Sequence, residues 1–227
     1  MPRPMPRLFV IRHGETEWSL NGSVTGRTDI PLTARGEQQV RDKAPILVGE
    51  GRPIDPKNLC TVFVSPRQRA HKTFHLLFAH VETPNHILTE EAREWDYGEY
   101  EGLLSSEIKV KRPNWNIWLD GCPGGESVED MEKRVDRIIA NVREYHRQYH
   151  EEGLNTRDVV IVAHGHFSRV LFLLLILRVL ISRWIQFPLK LGTHFNVEPG
   201  GVAVLSYNHN TLAEPALNAL NLYADLR

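Results

Sequence analysis

Four short apolar runs, mostly β-branched, punctuate the chain at 8–11 (LFVI), 61–64 (TVFV), 159–162 (VVIV) and 202–205 (VAVL). The first three are continuous rather than alternating, the pattern of strands buried on both faces of a sheet. Helical patterns lie between them. Thr33 opens a polar segment over 34–48, broken by Gly36 and Pro45, and a second segment, 67–81, follows the second run. The clearest helix spans 127–152. Val128, Met131, Val135, Ile138, Ile139, Val142 and Tyr145 recur there at helical spacing, behind a capping-box-like Ser127 and Asp130. A further helix is predicted to start near His166 and to include the apolar run 170–177. Strands alternating with helices predict an α/β fold, a three-layer sandwich around a mostly parallel sheet. The stretch 90–125 breaks the alternation, with Trp95, Trp115 and Trp118 close to Gly98, Gly102, Pro113, Gly121 and Pro123. It is expected to be an excursion over one edge of the sheet, a lid for a ligand. The one internal echo is between Ile11-Arg12-His13-Gly14 and Val162-Ala163-His164-Gly165, both apolar runs ending in His-Gly.

Composition narrows the partners more than the fold. With 227 residues and 41% hydrophobic content, the chain can build a sizeable core, and residues 1–227 are expected to form one domain. Lys and Arg number 27 against 28 Asp and Glu, so no global field draws nucleic acid or a membrane surface. Cys60 and Cys122 make neither a disulfide framework nor a zinc pair, which fits a reducing compartment. No targeting segment precedes the first strand, and the run 170–177 falls well short of the roughly 18–20 apolar residues that span a bilayer. A cytoplasmic location is expected.

The chemistry concentrates at strand ends, where ligands bind in open α/β sheets. The first strand runs into Arg12-His13-Gly14-Glu15-Thr16, the second into Ser65-Pro66-Arg67-Gln68-Arg69, and the third into His164-Gly165-His166. If these ends are neighbours, two imidazoles and at least two guanidiniums converge. Such a cluster repels itself unless it holds an anion, and phosphate matches guanidinium geometry.

The block Arg12-His13-Gly14-Glu15-Thr16 resembles the signature of the histidine phosphatase superfamily, in its phosphoglycerate-mutase-like branch. The resemblance continues in family order through Thr25-Gly26, Asp29-Ile30-Pro31-Leu32-Thr33 with Gly36, Ser65 to Ala70, Arg93-Glu94-Trp95-Asp96-Tyr97-Gly98, Gly125-Glu126-Ser127 and Ala163 to His166. Within the superfamily, the stretches 93–102, 115–122 and 198–207 and the tail 208–216 are most similar to fungal sedoheptulose-bisphosphatase-type sugar phosphatases. Between 173 and 191 the chain departs from the family pattern.

This resemblance implies a phosphatase acting on a small phosphorylated metabolite, first a sugar bisphosphate, with no cofactor and no catalytic metal. His13 would be the nucleophile that becomes phosphorylated, and Arg12, Arg69 and His164 would hold the phosphoryl oxygens. Glu94 would be the general acid and base, its pKa raised by burial beside Trp95 and Tyr97. Glu91 and Asp96 are nearby alternatives for that role. Thr25, Gly26, Tyr97, Gly165, His166 and Glu126 would surround the substrate, together with Ser19, which stands where family members often carry Asn. Lys109, Lys111, Arg112 and Arg169 are candidates for a second phosphate. A phosphoglycerate mutase would use the same His13 chemistry, and a non-catalytic phospho-ligand module is the reading from another class.

Blander readings hold for the rest. His71, His75, His80, His86, His146, His150 and His209 are expected to be surface or hydrogen-bonded core histidines, and His194 is left undecided. His164-Gly165-His166 lacks the further ligands of a zinc site, and no G-x-S-x-G supports a serine hydrolase. The run 170–177 is core by default, with an oligomer contact left open.

Overall fold

The computed structural model describes residues 3–164 and 176–223. In chain order the elements are β1 (Leu8–Arg12), α1 (Glu17–Asn21), α2 (Ala34–Leu47), β2 (Leu59–Val64), α3 (Gln68–Leu77), β3 (His86–Leu88), α4 (Ser105–Lys111), α5 (Ile117–Asp120), α6 (Val128–Glu151), β4 (Asp158–Ala163), α7 (Ile176–Trp184), β5 (Val202–Tyr207) and β6 (Pro215–Leu222). They build one six-stranded sheet in the order β3-β2-β4-β1-β5-β6. β1, β2, β3 and β4 run parallel, while β5 is antiparallel to both β1 and β6. The fold is therefore α/β with a mostly parallel sheet, as the strand and helix pattern predicts.

Side-chain alternation along the strands divides the interior in two. Leu8, Val10, Val159, Ile161, Ala163, Ala203 and Leu205 join the larger cluster with α6 and α7. Phe9, Ile11, Val160, Val162, Val202 and Val204 turn the other way and pack against α2 and α3. Every residue of β1, β4 and β5 is buried, which is why these strands read as unbroken apolar runs. The two layers of helices thus cover a sheet that shows water little of its centre.

Helix ends follow local chemistry. Thr33 caps α2 by accepting the Gly36 N–H, and Ser127 caps α6 by accepting that of Asp130. Pro45 lies inside α2 near its end without stopping it. The predicted helix from His166 falls largely outside the described residues, which resume at Ile176 in α7. Two strands carry no clear signal in the sequence. β3 has three residues, with Ile87 and Leu88 exposed, and β6 is an edge strand of partly buried residues.

The stretch 90–125 contributes Trp95, Tyr97, Tyr100, Ile108, Ile117 and Trp118 to the larger hydrophobic cluster, through short 3₁₀ turns and the helices α4 and α5. Lys109, Lys111 and Arg112 stay on its exposed side. Among the described residues no helix is long and apolar enough to cross a membrane.

One core polar group gives the fold a measurable acid sensitivity. His146 on α6 is buried against Trp184, with Nδ1 2.9 Å from the Tyr207 hydroxyl. Burial pushes its pKa down from 6.5 to about 3. The unfolded chain therefore binds a proton that the folded chain refuses. The stability this contributes is present above about pH 6.5 and is lost as the pH falls toward 3. The urea midpoint should drop between about pH 7 and 4, with a shallower drop in His146→Phe. Equal slopes in the two proteins would remove His146 as a cause.

Candidate active site

The sheet order places β4 between β1 and β2, so the three polar strand ends become neighbours. The His13 N–H donates to the Ala163 carbonyl (3.0 Å) and the Ser65 N–H to that of Val162 (3.1 Å), extending the ladders one residue past the strands. His13 and His164 meet with ring centroids 5.2 Å apart, inclined at 62°. Both rings are buried.

The turn after β1 is shaped by close backbone packing. A Cβ on Gly14 would lie 2.7 Å from the Gly36 carbonyl oxygen, and one on Gly36 would lie 2.3 Å from that of Glu15. Only hydrogen fits at either position, so the start of α2 presses directly on the turn. The Gly14 N–H donates to Thr73 Oγ1 of α3 (3.2 Å), whose hydroxyl donates to the Arg69 carbonyl (2.7 Å). His13 Nδ1 lies 2.6 Å from the Gly14 carbonyl oxygen. That contact requires a proton on Nδ1 and leaves the lone pair on Nε2, the tautomer a nucleophilic imidazole needs.

Two buried guanidiniums flank the imidazoles. Arg12 Nη1 donates to the Val197 carbonyl (2.8 Å), while Nε and Nη2 have no hydrogen-bond partner among the described residues. Arg69 Nη1 donates to the Thr28 carbonyl (2.9 Å) and Nη2 to those of Thr25 and Gly26 (both 3.3 Å), with Nε left unpartnered in the same sense. Burial lowers Arg12 to about 9 and also lowers Arg69, so both remain cations at neutral pH. Buried donors without acceptors are rare in folded proteins and mark places where an anion or water belongs.

Glu94 is buried, and its Oε1 accepts the N–H of Trp95 (2.9 Å) and of Ile176 (3.3 Å). Desolvation raises its pKa, opposed by those hydrogen bonds and by Arg69 and Arg134. Tyr97, buried with no partner for its hydroxyl among the described residues, is raised by desolvation and by the Glu94 charge. A carboxyl that holds its proton longer than usual, in the field of Arg12 and Arg69, can act as an acid near neutral pH.

Ser65 makes a contact its motif does not announce. Its Oγ lies 2.6 Å from His164 Nε2 and accepts the Arg67 N–H (3.4 Å). Burial first, then Arg69, His13 and Arg67, hold His164 well below the ordinary imidazole value, so the ring is neutral. The direction of the contact between Ser65 and Nε2 follows the ring tautomer. We assign the hydroxyl as the donor, which puts the ring proton on Nδ1, the buried atom without a partner among the described residues, where it can donate to an anion. Position offered the one available signal, because Ser65 ends β2 beside the strand that ends in His164.

Arg178 of α7, which the sequence motifs do not single out, also lies near Arg12. It is buried, its Nη2 donates weakly to Asn196 Oδ1 (3.5 Å), and its Nε has no partner among the described residues. Desolvation lowers it to about 10, against the pull of Tyr97 and Glu198, and its charge is felt at Arg12.

Other expected substrate contacts are engaged elsewhere. The Ser19 hydroxyl accepts the Thr16 N–H (2.8 Å) and donates to the Thr16 carbonyl (2.7 Å), closing the first turn of α1. The Glu126 carboxylate is held by Arg134 (2.7 Å to each oxygen), Arg93 (3.2 Å) and the Asp96 N–H (3.3 Å), a buried structural knot. Thr25 and Gly26 reach the site through carbonyls that hold Arg69. The Gly26 N–H donates to Glu101, and a Cβ there would lie 2.3 Å from the Trp95 carbonyl oxygen. His194 is exposed. Gly165, His166 and Arg169 lie outside the described residues.

Paired strand-end imidazoles and buried guanidiniums with unpartnered donors make a candidate anion site on an α/β sheet. The family model described as histidine phosphatase superfamily (branch 1) matches residues 8–220. Sedoheptulose 1,7-bisphosphatase of Saccharomyces cerevisiae is 33% identical, over 96% of this chain and 93% of its own. An acid phosphatase of Mycobacterium tuberculosis is 37% identical, over 89% of this chain and 87% of its own. A solved structure of an open-reading-frame product from M. tuberculosis superposes with a TM-score of 0.77 at 33% identity, covering 96% of this chain and 97% of that one. The chain belongs to the histidine phosphatase superfamily, and it is a phosphoric monoester hydrolase.

Ser65→Ala should test the tautomer assignment. Losing one buried hydrogen bond worth ~1–3 kcal/mol predicts a kcat roughly 5- to 150-fold lower. The ¹⁵N shifts of His164 should move from the Nδ1–H tautomer toward a mixture. An unchanged His164 spectrum together with an unchanged kcat would refute the role.

Proposed function

We propose that the protein hydrolyses a small sugar bisphosphate of the sedoheptulose 1,7-bisphosphate type through a phosphohistidine on His13. The observation that carries this reading is the set of buried side-chain nitrogens on Arg12, Arg69 and His164 without partners among the described residues, with the His164 ring 5.2 Å from that of His13; these groups would take the oxygens of one phosphoryl group. Likeness to the yeast bisphosphatase over nearly the whole chain supports the substrate class.

In the first half-reaction His13 Nε2 attacks phosphorus and the P–O bond to the sugar breaks. Protonated Glu94 gives its proton to the departing alkoxide. The Gly14 carbonyl, accepting from Nδ1–H, stabilises the positive charge that develops on the ring. In the second half-reaction water attacks the phosphohistidine while ionised Glu94 takes its proton. Inorganic phosphate leaves and His13 is restored. The arginines spread the phosphoryl charge throughout and need no reorganisation to do so.

Arg178, rather than exposed Lys109, Lys111 or Arg112, would take the second phosphate. It is buried on the Arg12 and Tyr97 side of the site, where a guanidinium with a spare donor can reach a bound molecule. The chain would work as one domain, with the stretch 90–125 bounding the substrate space. The two free cysteines, one of them buried, suit a cytoplasmic setting.

Phosphate release in EDTA should peak on a sugar bisphosphate and vanish in His13→Ala, with acid-labile label trapped on His13 of the wild type. Interconversion of phosphoglycerates without release would identify a mutase instead, and phosphate binding without label would identify a binding module. Glu94→Gln should lower kcat by ~10²- to 10⁴-fold and remove the alkaline limb of its pH profile, since the acid form does the work. Arg178→Ala should raise KM for bisphosphates while leaving monophosphate turnover near wild type. An equal loss on both substrates would reject the second-phosphate role.

A further inference from the structure

Helix α3 carries a histidine pair that phosphoryl transfer does not use. His71 and His75 stand one helical turn apart, with Nε2 atoms 3.1 Å from each other and ring centroids 4.5 Å apart at 77°. Residues four apart share a helix face, so the backbone itself brings the two rings together. Two nitrogens bound to one metal at 2.0–2.1 Å, at angles between square and tetrahedral, are separated by about 2.8–3.4 Å. The observed spacing falls inside that window.

We propose that His71 and His75 form a bidentate site for a borderline divalent transition metal, Cu²⁺, Ni²⁺ or Zn²⁺. The ligand type selects these ions, because neutral imidazole suits them and hard cations prefer oxygen. The Lys72 ammonium is turned toward Glu37 (3.8 Å), which offsets its charge beside the rings. The pair also lines a cavity of about 290 Å³ with Pro31, Leu32, Gln68 and Glu37, so water or a small anion has room to complete the coordination sphere.

Without metal, one Nε2–H donates to the other ring's Nε2. Binding requires lone pairs on both, so the donor ring moves its proton to Nδ1 by exchange with solvent. Nothing is oxidised or reduced. Among the described residues no group of three or more His, Cys, Asp and Glu side chains is placed to hold a metal, so the protein supplies two ligands here. A two-ligand site exchanges its ion readily and gives way to chelators, which sets it apart from four-ligand structural zinc.

The turn that the metal would clamp also contains Thr73, whose Oγ1 accepts the Gly14 N–H beside His13 and donates to the Arg69 carbonyl. The metal would therefore stiffen the part of α3 that supports the turn after β1. It would do so without touching the reacting groups.

One equivalent of Cu²⁺ added to the full-length protein should give an electron paramagnetic resonance signal with two equivalent imidazole nitrogens. Ni²⁺ should raise the melting temperature in a concentration-dependent way that EDTA reverses. His75→Gln and His71→Gln, both on an exposed face, should each reduce the Cu²⁺ signal to one nitrogen or none and abolish the Ni²⁺-dependent rise. Basal phosphatase activity in EDTA should be unchanged in both, which keeps this outcome separate from that of the His13 assignment. His86→Gln should retain the two-nitrogen signal. Metal spectra and melting shifts that are the same in wild type and both variants would overturn the site and leave the pair a hydrogen bond between imidazoles.

Discussion

A guanidinium taken out of water costs stability for every donor that does not meet an oxygen. This constraint organises the molecule. Arg12 is met by the Val197 carbonyl, and Arg69 by those of Thr25, Gly26 and Thr28. Both sets of carbonyls lie in irregular segments that Val24 and Val197 also anchor in the larger hydrophobic cluster. Arg12 Nε and Nη2 and Arg69 Nε stay without a partner among the described residues, and in the proposed function a phosphoryl group would take them.

The parallel strands make that convergence geometric. With β4 placed between β1 and β2, their carboxyl ends deliver His13, His164 and Ser65 within hydrogen-bonding and ring-contact distance. The same crowding explains the small residues. Gly14 and Gly36 let the first turn of α2 press against the turn that orients His13, and Gly26 lets its loop close on Trp95. The His13 ring is thus held by a backbone carbonyl and the His164 ring by the Ser65 side chain.

What could be read from the sequence followed how strongly each feature is enforced locally. β1, β4 and β5 are buried along their whole length, so no polar position interrupts their apolar runs. α6 announces itself through a long apolar stripe and the Ser127 cap. β3 and β6 left no comparable mark, because an edge strand is held by its neighbour's hydrogen bonds and needs little apolar alternation. The convergence of the strand ends was legible because the motifs sit at the ends of apolar runs beside glycine. The contact of Ser65 with His164, the burial of Arg178 and the hydrogen bonds of Ser19 and Glu126 were not. A hydroxyl or a carboxylate carries no local sign of which distant group it will meet, and Glu126 meets Arg134 only through the packing of α6.

The contact between Arg12 and the Val197 carbonyl spans 185 positions of sequence. The Arg12 and Gly201 backbones are also joined, as are those of Gly200 and His13. During synthesis the Arg12-His13 motif is made long before the Val197 oxygen that holds Arg12. β1 also waits for both sheet partners, since β4 and β5 belong to the final third of the chain. The environment of Arg12 and His13 therefore cannot assemble until residues near 200 have been made, and a chain terminated before them carries the motif without its partners, however much of the preceding portion has collapsed.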